Sequence, residues 1–413
     1  MLCVKCDLVI IIRGKENEMA GPLKGIRVLD LTRVLAGPYA TMLLRDLGAE
    51  VIKIEQPGVG DESRGVGPFK NNFSLYFMSI NRGKKSLTLN LKDRRGQELF
   101  LELVKRSDVV IENFRPGTMK KLGLDYESLK GHHPSLLYAA CSGFGQTGPY
   151  AGRGAYDMII QGMGGIISIT GEPNRPPVRV GTSIGDITAA LFTTIGILAA
   201  LRHRDETGEG QLIDVGMLDC QVAILENAIV RYFSTGEIPK PMGGRHPTFT
   251  PFEVFESADG YVVIAMGNDG LWAKFCAYIN RPELISDERF RTNALRTTHH
   301  DALFPILAEV MRQRTTEQWV EELEKIGVPC GPVNTIDQVA NHPQVLAREM
   351  IVKVEHEVTG PVEIPGIPIK LSETPGSVDA PAPSLGEHTE EILSGLLGLS
   401  RGEIDVLKQE GVV

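Results

Sequence analysis

The 413-residue chain has no uninterrupted apolar run of the ~20 residues that a membrane-spanning helix needs. Its longest, Ile187–Leu201, is broken by threonines, and Leu8–Ile12 is far shorter and precedes no small-residue cleavage site. Basic residues are not in excess either. With 43 Lys and Arg against 52 Asp and Glu the net charge is −9, which argues against a general nucleic-acid binder. No G-x-x-x-x-G-K-[ST] occurs, excluding a P-loop nucleotidase, and the TRVLAGP segment lacks the G-x-G-x-x-G of a dinucleotide fold. Ser142 in CSGFG is not in the G-x-S-x-G context of a nucleophile elbow. His132-His133, His299-His300 and His388 stand apart from cysteines and carboxylates at ligand spacing, so no metal site is expected.

Cysteine is sparse: Cys3, Cys6, Cys141, Cys220, Cys276 and Cys330. That scatter fits a reducing compartment, and the expectation is a soluble, cytoplasmic protein. Cys3 and Cys6 form a C-x-x-C, but no second pair follows and no βαβ unit precedes it, so no role is assigned. Fixed-period repeats and low-complexity tracts are absent.

The apolar and charged fractions, 42% and 23%, are ordinary for globular chains. The length allows about two to three domains. Clear patterning starts at Met19, and residues 1–18 are read as a disordered or non-native extension. IRVLDLT, AEVIKIE, KSLTLNL, DVVIENF and PSLLYAACSGFG read as buried strands, separated by helical stretches such as YATMLLRDLG and DRRGQELFLELVKRS. Such alternation predicts a doubly wound, mostly parallel α/β sheet, with ligands outside the carboxyl ends of its strands. The expected division is a large domain over 19–225, a linker with a smaller α+β domain over 226–330, and a second linker with a return to the large domain over 331–413. A hairpin is expected at Asp259-Gly260. Trp272 and Trp319, at helical apolar positions, are assigned to the core.

Three features have chemical potential. Gly37-Pro38 opens a helix whose free N–H groups suit an anion, or serves only as a tight turn. Residues 81–95 hold Arg82, Lys84, Lys85, Lys92, Arg94 and Arg95 against Asp93, and Arg115, Lys120 and Lys121 follow a later strand. These are either a solvated face or a seat for a polyanionic cofactor such as a phosphorylated nucleotide diphosphate. Asp186, in SIGDITAALF, suits an N-cap; it also suits a nucleophilic carboxylate held ionised by the helix end.

A resemblance joins these features. GPLKGIRVLDLTRVLAGPYATMLLRDLGAEVIKIEQPGVGD, NRGKKSLTLNLK, SDVVIENFRPGTMKKLGLDY, TGEGQLIDVGMLD, GVPCGPVNTIDQV and LGEHTEEIL are similar, in the same order, to segments of the class III coenzyme A transferases. That group contains the formyl-CoA:oxalate, carnitine and succinyl-CoA:dicarboxylate CoA-transferases. The resemblance implies a Rossmann-like large domain built from both chain ends, a small domain between them, and an interlocked homodimer. It implies that Asp186 is the nucleophile, passing the acyl group through an anhydride and CoA through an aspartyl thioester. Activation is then conserved with no ATP, metal or tightly bound cofactor, CoA itself being the substrate.

Further residues follow by the same resemblance. Gly243 and Gly244 match a glycine loop expected to stabilise oxyanions and exclude water. Val34, Ala36, Leu89, Lys92, Asn113, Phe114 and Lys121 match CoA-contacting positions, Tyr156 matches a tyrosine beside the active site, and Arg115 belongs to the basic patch near them. Leu35 stands where oxalate-specific members carry glutamine, which argues against formyl-CoA:oxalate transfer. MGGRHPTFTPFEVF and AYDMIIQGMGGIISITGE are closer to the succinyl-CoA:dicarboxylate members. Arg33, Arg245 and His246 would then hold a distal carboxylate, or serve only as loop salt-bridge partners. The competing readings are an α-methylacyl-CoA racemase, which would need a histidine where Tyr156 stands, and a non-catalytic acyl-CoA binding protein.

Overall fold

The computed structural model describes residues 21–413; the 1–18 extension and the Cys3–Cys6 pair lie outside the described residues. The chain forms two compact units. One comprises the chain up to Asp157 together with Gly185–Cys220 and Glu349–Val413, the other Met158–Ile184 and Gln221–Arg348.

The first unit is built on six strands: β1 Arg27–Asp30, β2 Glu50–Glu55, β3 Lys85–Thr88, β4 Val109–Glu112, β5 Leu137–Ser142 and β6 Leu212–Gly216. All pair in parallel, in the order β3-β2-β1-β4-β5-β6. Helices connect them: α1 Ala36–Asp46, α2 Leu75–Asn81, α3 Arg94–Val104 and, later, α5 Ile184–Thr207, whereas α4 Asp157–Met163 belongs to the second unit from Met158 onward. The strands read as near-continuous apolar runs because both faces are covered. Leu29, Ile52, Val110 and Tyr138 share one core with Phe100 and Leu103 of α3. Val28, Val51, Val109 and Leu137 share the other with Leu44 of α1 and Ala190 and Ile197 of α5. The chain's last helices, Thr389–Leu397 and Arg401–Gln409, close the first core through Ile392, Leu393, Ile404 and Leu407. The segment leading into them also covers edge strand β3, where the His388 N–H donates to the Ser86 carbonyl (3.0 Å) and Thr389 Oγ1 accepts the Thr88 N–H (3.1 Å). Strand order reverses between β1 and β4, and a ligand crevice opens at the carboxyl ends of such strands.

The long apolar helix differs from the expectation in length. It runs 24 residues, enough by length and composition to cross a membrane, and half of its apolar window is buried inside the protein.

In the second unit, Phe252–Glu256 and Tyr261–Ala265 form the expected hairpin. Cys330–Pro332, expected in a linker, is instead its third strand: Cys330 pairs with Ile264, which ties the segment to the hairpin by backbone bonds. Trp272 and Trp319 are in this unit's core.

The basic cluster at 81–95 is not a free seat. Arg82 is buried against Asp46 (2.5 Å) and Lys84 against Asp30 (3.0 Å), while Lys85 bridges Glu50 and Glu391. Arg94 and Arg95 pair with Glu98 and Glu410. Of the six, Lys92 alone lacks an ion-pair partner among the described residues, and it is exposed. Arg115, Lys120 and Lys121 are exposed as well. Unspent positive charge thus gathers on the loops after β3 and β4, beside the crevice, rather than along the whole run.

Candidate functional site

The loop after β1 is held from below by buried charge. Lys53, on β2, donates to the Thr32 carbonyl (2.8 Å) and pairs with Asp61 (2.8 Å). Asp61 Oδ1 in turn accepts the N–H groups of Val34 (3.1 Å) and Ser63 (2.8 Å). From the other side the Asn113 side chain accepts the Arg33 N–H and donates to the Arg33 carbonyl, both at 2.8 Å. Between these clamps Val34 takes φ +66°, a left-handed conformation that costs a β-branched residue of order 1–3 kcal/mol. Helix α1 then starts at Ala36 with no side-chain cap, leaving its amino end open to an anion. Gly37 is required there, since a Cβ would lie 2.3 Å from the Thr32 side chain.

Asp186 stands on the first turn of α5, three residues into the helix rather than at its cap. The capping role falls to Asp157, whose Oδ1 accepts the Gly185 N–H at 2.8 Å and reaches the Asp186 N–H at 3.4 Å. Gly143, just past β5, makes this possible: a Cβ there would come within 2.2 Å of the Ala155 Cβ, so only glycine lets the 155–157 segment close in. Asp186's own side chain makes no hydrogen bond among the described residues. The expectation of a low-pKa carboxylate is corrected. Burial, then the charge of Asp157, raises Asp186 to about 7. The Tyr76 phenol on α2 is pushed to about 12 by burial and by Asp186, Asp61 and Asp157. It therefore carries its proton at neutral pH.

Residues 23–389 match the family model described as CoA-transferase family III. The chain belongs to CoA-transferase family III. It is 46% identical over 370 residues to an acetyl-CoA:oxalate CoA-transferase of Acetobacter aceti, covering 89% of this chain and 94% of that protein. With the succinyl-CoA:glutarate CoA-transferase of Mus musculus it shares 41% identity over 393 residues, 95% and 90% of the two chains. A crystal structure of a CAIB/BAIF family protein from Brucella suis superposes with TM-score 0.82 at 43% identity, covering 91% of this chain and 100% of that one.

Around the crevice of this CoA-transferase, the expected CoA-contacting residues offer different things. Val34 and Ala36 contribute backbone at the strained loop and the α1 start. Leu89 is 2% exposed and packed in the core, so that position can offer a ligand only main chain. Asn113 spends its amide on the loop clamp, and Phe114 carries the Arg33 guanidinium 4.9 Å over its ring. Arg33 also pairs with Glu62 (2.5 Å), an exposed bridge of little energetic worth that a ligand can displace. Lys92, Arg115 and Lys121 have no ion-pair partner among the described residues, and Tyr156 is 75% exposed next to Asp157.

Within the second unit, the Gly243 N–H donates to the Gly171 carbonyl (2.9 Å), which removes it as an oxyanion donor in this conformation. The Gly244 N–H has no partner among the described residues. Arg245 is half-buried, with its Nε enclosed and unpartnered. His246 stacks on Phe252 (5.0 Å), and its Nδ1 accepts the Thr248 and Phe249 N–H groups (3.1 and 3.2 Å). With Nδ1 accepting these bonds, the ring's Nε2 is the nitrogen left for a ligand.

Lys53, Asp61, Tyr76 and Asp157 are residues of this site that sequence pattern alone does not single out. Lys53 alternates with apolar residues in a strand and Tyr76 lies in an apolar helix, so neither carried a local signal. Asp157 did: a second acidic residue beside Tyr156 was visible, but its pairing with a helix 28 residues away was not.

Proposed function

We propose that this enzyme moves CoA from an acyl-CoA donor to a dicarboxylic acid through covalent intermediates on Asp186. The observation that carries the reading is a half-buried Asp186 carboxyl on the first turn of α5, relieved of capping by Asp157 and without a hydrogen bond of its own among the described residues. The relatives' names support the substrate class: one pairs acetyl-CoA with oxalate, the other succinyl-CoA with glutarate, and both acceptors have two carboxylates.

The ionised Asp186 oxygen attacks the thioester carbon; the C–S bond breaks, leaving a mixed anhydride and CoA thiolate. The thiolate attacks the aspartyl carbonyl, releasing the donor acid and forming an aspartyl-CoA thioester. An acceptor carboxylate then displaces the thiolate, and the thiolate takes the acceptor's acyl carbon, regenerating Asp186. Each bond broken is replaced by one of similar activation. The open end of α1 and the cations Lys92, Arg115 and Lys121 seat the CoA phosphates, and the Gly243-Gly244 loop shields the anhydride. Arg33, Arg245 and His246 take the acceptor's second carboxylate. Asp186 must be ionised to attack, so the first half-reaction rises with pH through about 7.

We extend the proposal to a homodimer with interlocked chains. Leu191, Phe192 and Ile195 form an exposed apolar stripe on α5, and in the second unit Phe233 is 79% exposed, more than a lone soluble chain ordinarily leaves to water. Free Cys141, Cys220, Cys276 and Cys330 support a reducing, cytoplasmic setting.

The decisive experiment incubates the enzyme with succinyl-CoA or acetyl-CoA, quenches with hydroxylamine or borohydride, and maps the adduct by peptide mass spectrometry. Label on Asp186 is expected; label elsewhere, or none during turnover, sinks the mechanism. Arg245→Ala should raise the KM for a dicarboxylate by about tenfold, as loss of a charge-assisted bond predicts, and the donor's KM less. Equal effects on both would remove Arg245 from the acceptor site.

A further inference from the structure

We propose that Asp157 is a positioning residue for Asp186: it anchors the amino end of α5 and places a second carboxylate beside the nucleophile, which favours acylation of Asp186. The inference rests on the reading of Asp186 as nucleophile.

The geometry is specific. Asp157 is 9% exposed, yet its Oδ1 lies 2.8 Å from the Gly185 N–H and 3.4 Å from that of Asp186. Two carboxylates therefore meet at one helix end, one holding the backbone of the other. A neutral serine or asparagine would cap the helix about as well. What a carboxylate adds is charge. The other groups facing Asp186 do not offset it: Tyr76 from α2 and Cys141 from β5 both keep their protons at neutral pH, their ionisation opposed by burial and by Asp186 itself. Among the described residues, it is burial and Asp157 that raise Asp186.

Two consequences follow for the reaction. A carboxylate of raised pKa is the more nucleophilic once it has lost its proton. Acylation also turns Asp186 into a neutral anhydride or thioester, leaving one carboxylate where there were two. The repulsion is relieved in the covalent intermediates, which are thereby favoured over the resting enzyme.

The test compares Asp157→Asn, Asp157→Ser and Asp157→Ala in the full chain. CoA release from succinyl-CoA is followed in the first half-reaction between pH 5 and 9, together with the fraction of enzyme trapped as Asp186 thioester. Asn and Ser keep an acceptor for the helix end but remove the charge. Both should move the acid midpoint down from about 7 by about one unit and lower the trapped fraction severalfold. Asp157→Ala should do the same and also slow the plateau rate, because the helix end loses its acceptor. An unchanged midpoint and trapped fraction in a folded Asn or Ser variant overturns the proposal. So does a wild-type midpoint below pH 5, which needs no variant. Failure of the underlying reading looks different: Asp186→Asn would still release CoA and no Asp186 adduct would be found.

Discussion

Asp186→Ala should lose CoA transfer by on the order of 10⁴-fold or more, with donor binding largely kept. The side chain is a reactant, so its removal deletes the bonds through which acyl group and CoA pass. Its site in the first unit is otherwise assembled from the clamped β1–α1 loop, Asn113 and Asp157, none of which leans on the Asp186 side chain for a hydrogen bond. Steady-state kinetics with succinyl-CoA and glutarate, alongside CoA binding by calorimetry, separates the two effects. Activity within tenfold of wild type would remove Asp186 from the chemistry.

A stability effect of opposite sign accompanies that loss. Asp186 is raised in the folded state to about 7 from an ordinary 3.8, so the folded protein holds its proton more tightly than the unfolded chain does. The contribution to stability is fully present below pH 3.8 and is lost as pH rises through 7. At pH 8 the enzyme carries an unfavourable buried charge that Asp186→Asn lacks. That variant should be more stable by roughly 1–3 kcal/mol at pH 8, allowing for solvent screening, with the gap closing in acid. Thermal melts of both proteins at pH 5 and 8 measure it. A gap independent of pH would contradict the assigned cause.

Lys53→Met should destabilise the protein by about 3–5 kcal/mol, the usual cost of breaking a buried ion pair from one side. Lys53 is fully buried. Burial works against its charge, but Asp30, Asp61 and Glu55 together hold the proton on above the ordinary lysine value. Without it, Asp61 keeps its charge in a buried position and loses the partner that fixes it under Val34. The strained loop should relax and the CoA KM should rise together with the loss of stability. Adding Asp61→Asn to Lys53→Met should recover part of the stability by removing the orphaned charge, while the loop, and so the KM, stays impaired. Urea denaturation and donor kinetics on the single and double variants test this. A cost below about 1 kcal/mol would mean water reaches the pair.

What the sequence made legible was mainly what depends on local pattern. The strand runs from Arg27 to Ser142 and the Asp259-Gly260 hairpin could be read because buried strands and tight turns advertise themselves by composition. The parallel order placing β1 beside β4 is a long-range fact, yet it follows from the handedness of strand–helix–strand units. Charge was the least legible. Arg82, Lys84 and Lys92 look alike in sequence, but two are spent inside the fold and one is open to a ligand. That difference depends on Asp46 and Asp30, 36 and 54 residues away. For Asp186 the sequence pointed to a low-pKa carboxylate at a helix start, whereas burial and Asp157 raise it. Its helix was visible, but the burial and second carboxylate that raise it are tertiary.

The way the last helices close the first core bears on how the protein is made. Strands β1 to β5 are complete once about a third of the chain has been synthesised, yet Ile392, Leu393, Ile404 and Leu407 complete their core and His388 and Thr389 cover the β3 edge. Until the ribosome reaches those residues, a parallel sheet waits with one core open and one edge unpaired. The first unit, whose contacts span nearly the full chain, should therefore complete its folding only after its last helices are made. Yield in expression should depend on chaperones that hold such intermediates, and slower folding than its size suggests should follow from topology alone.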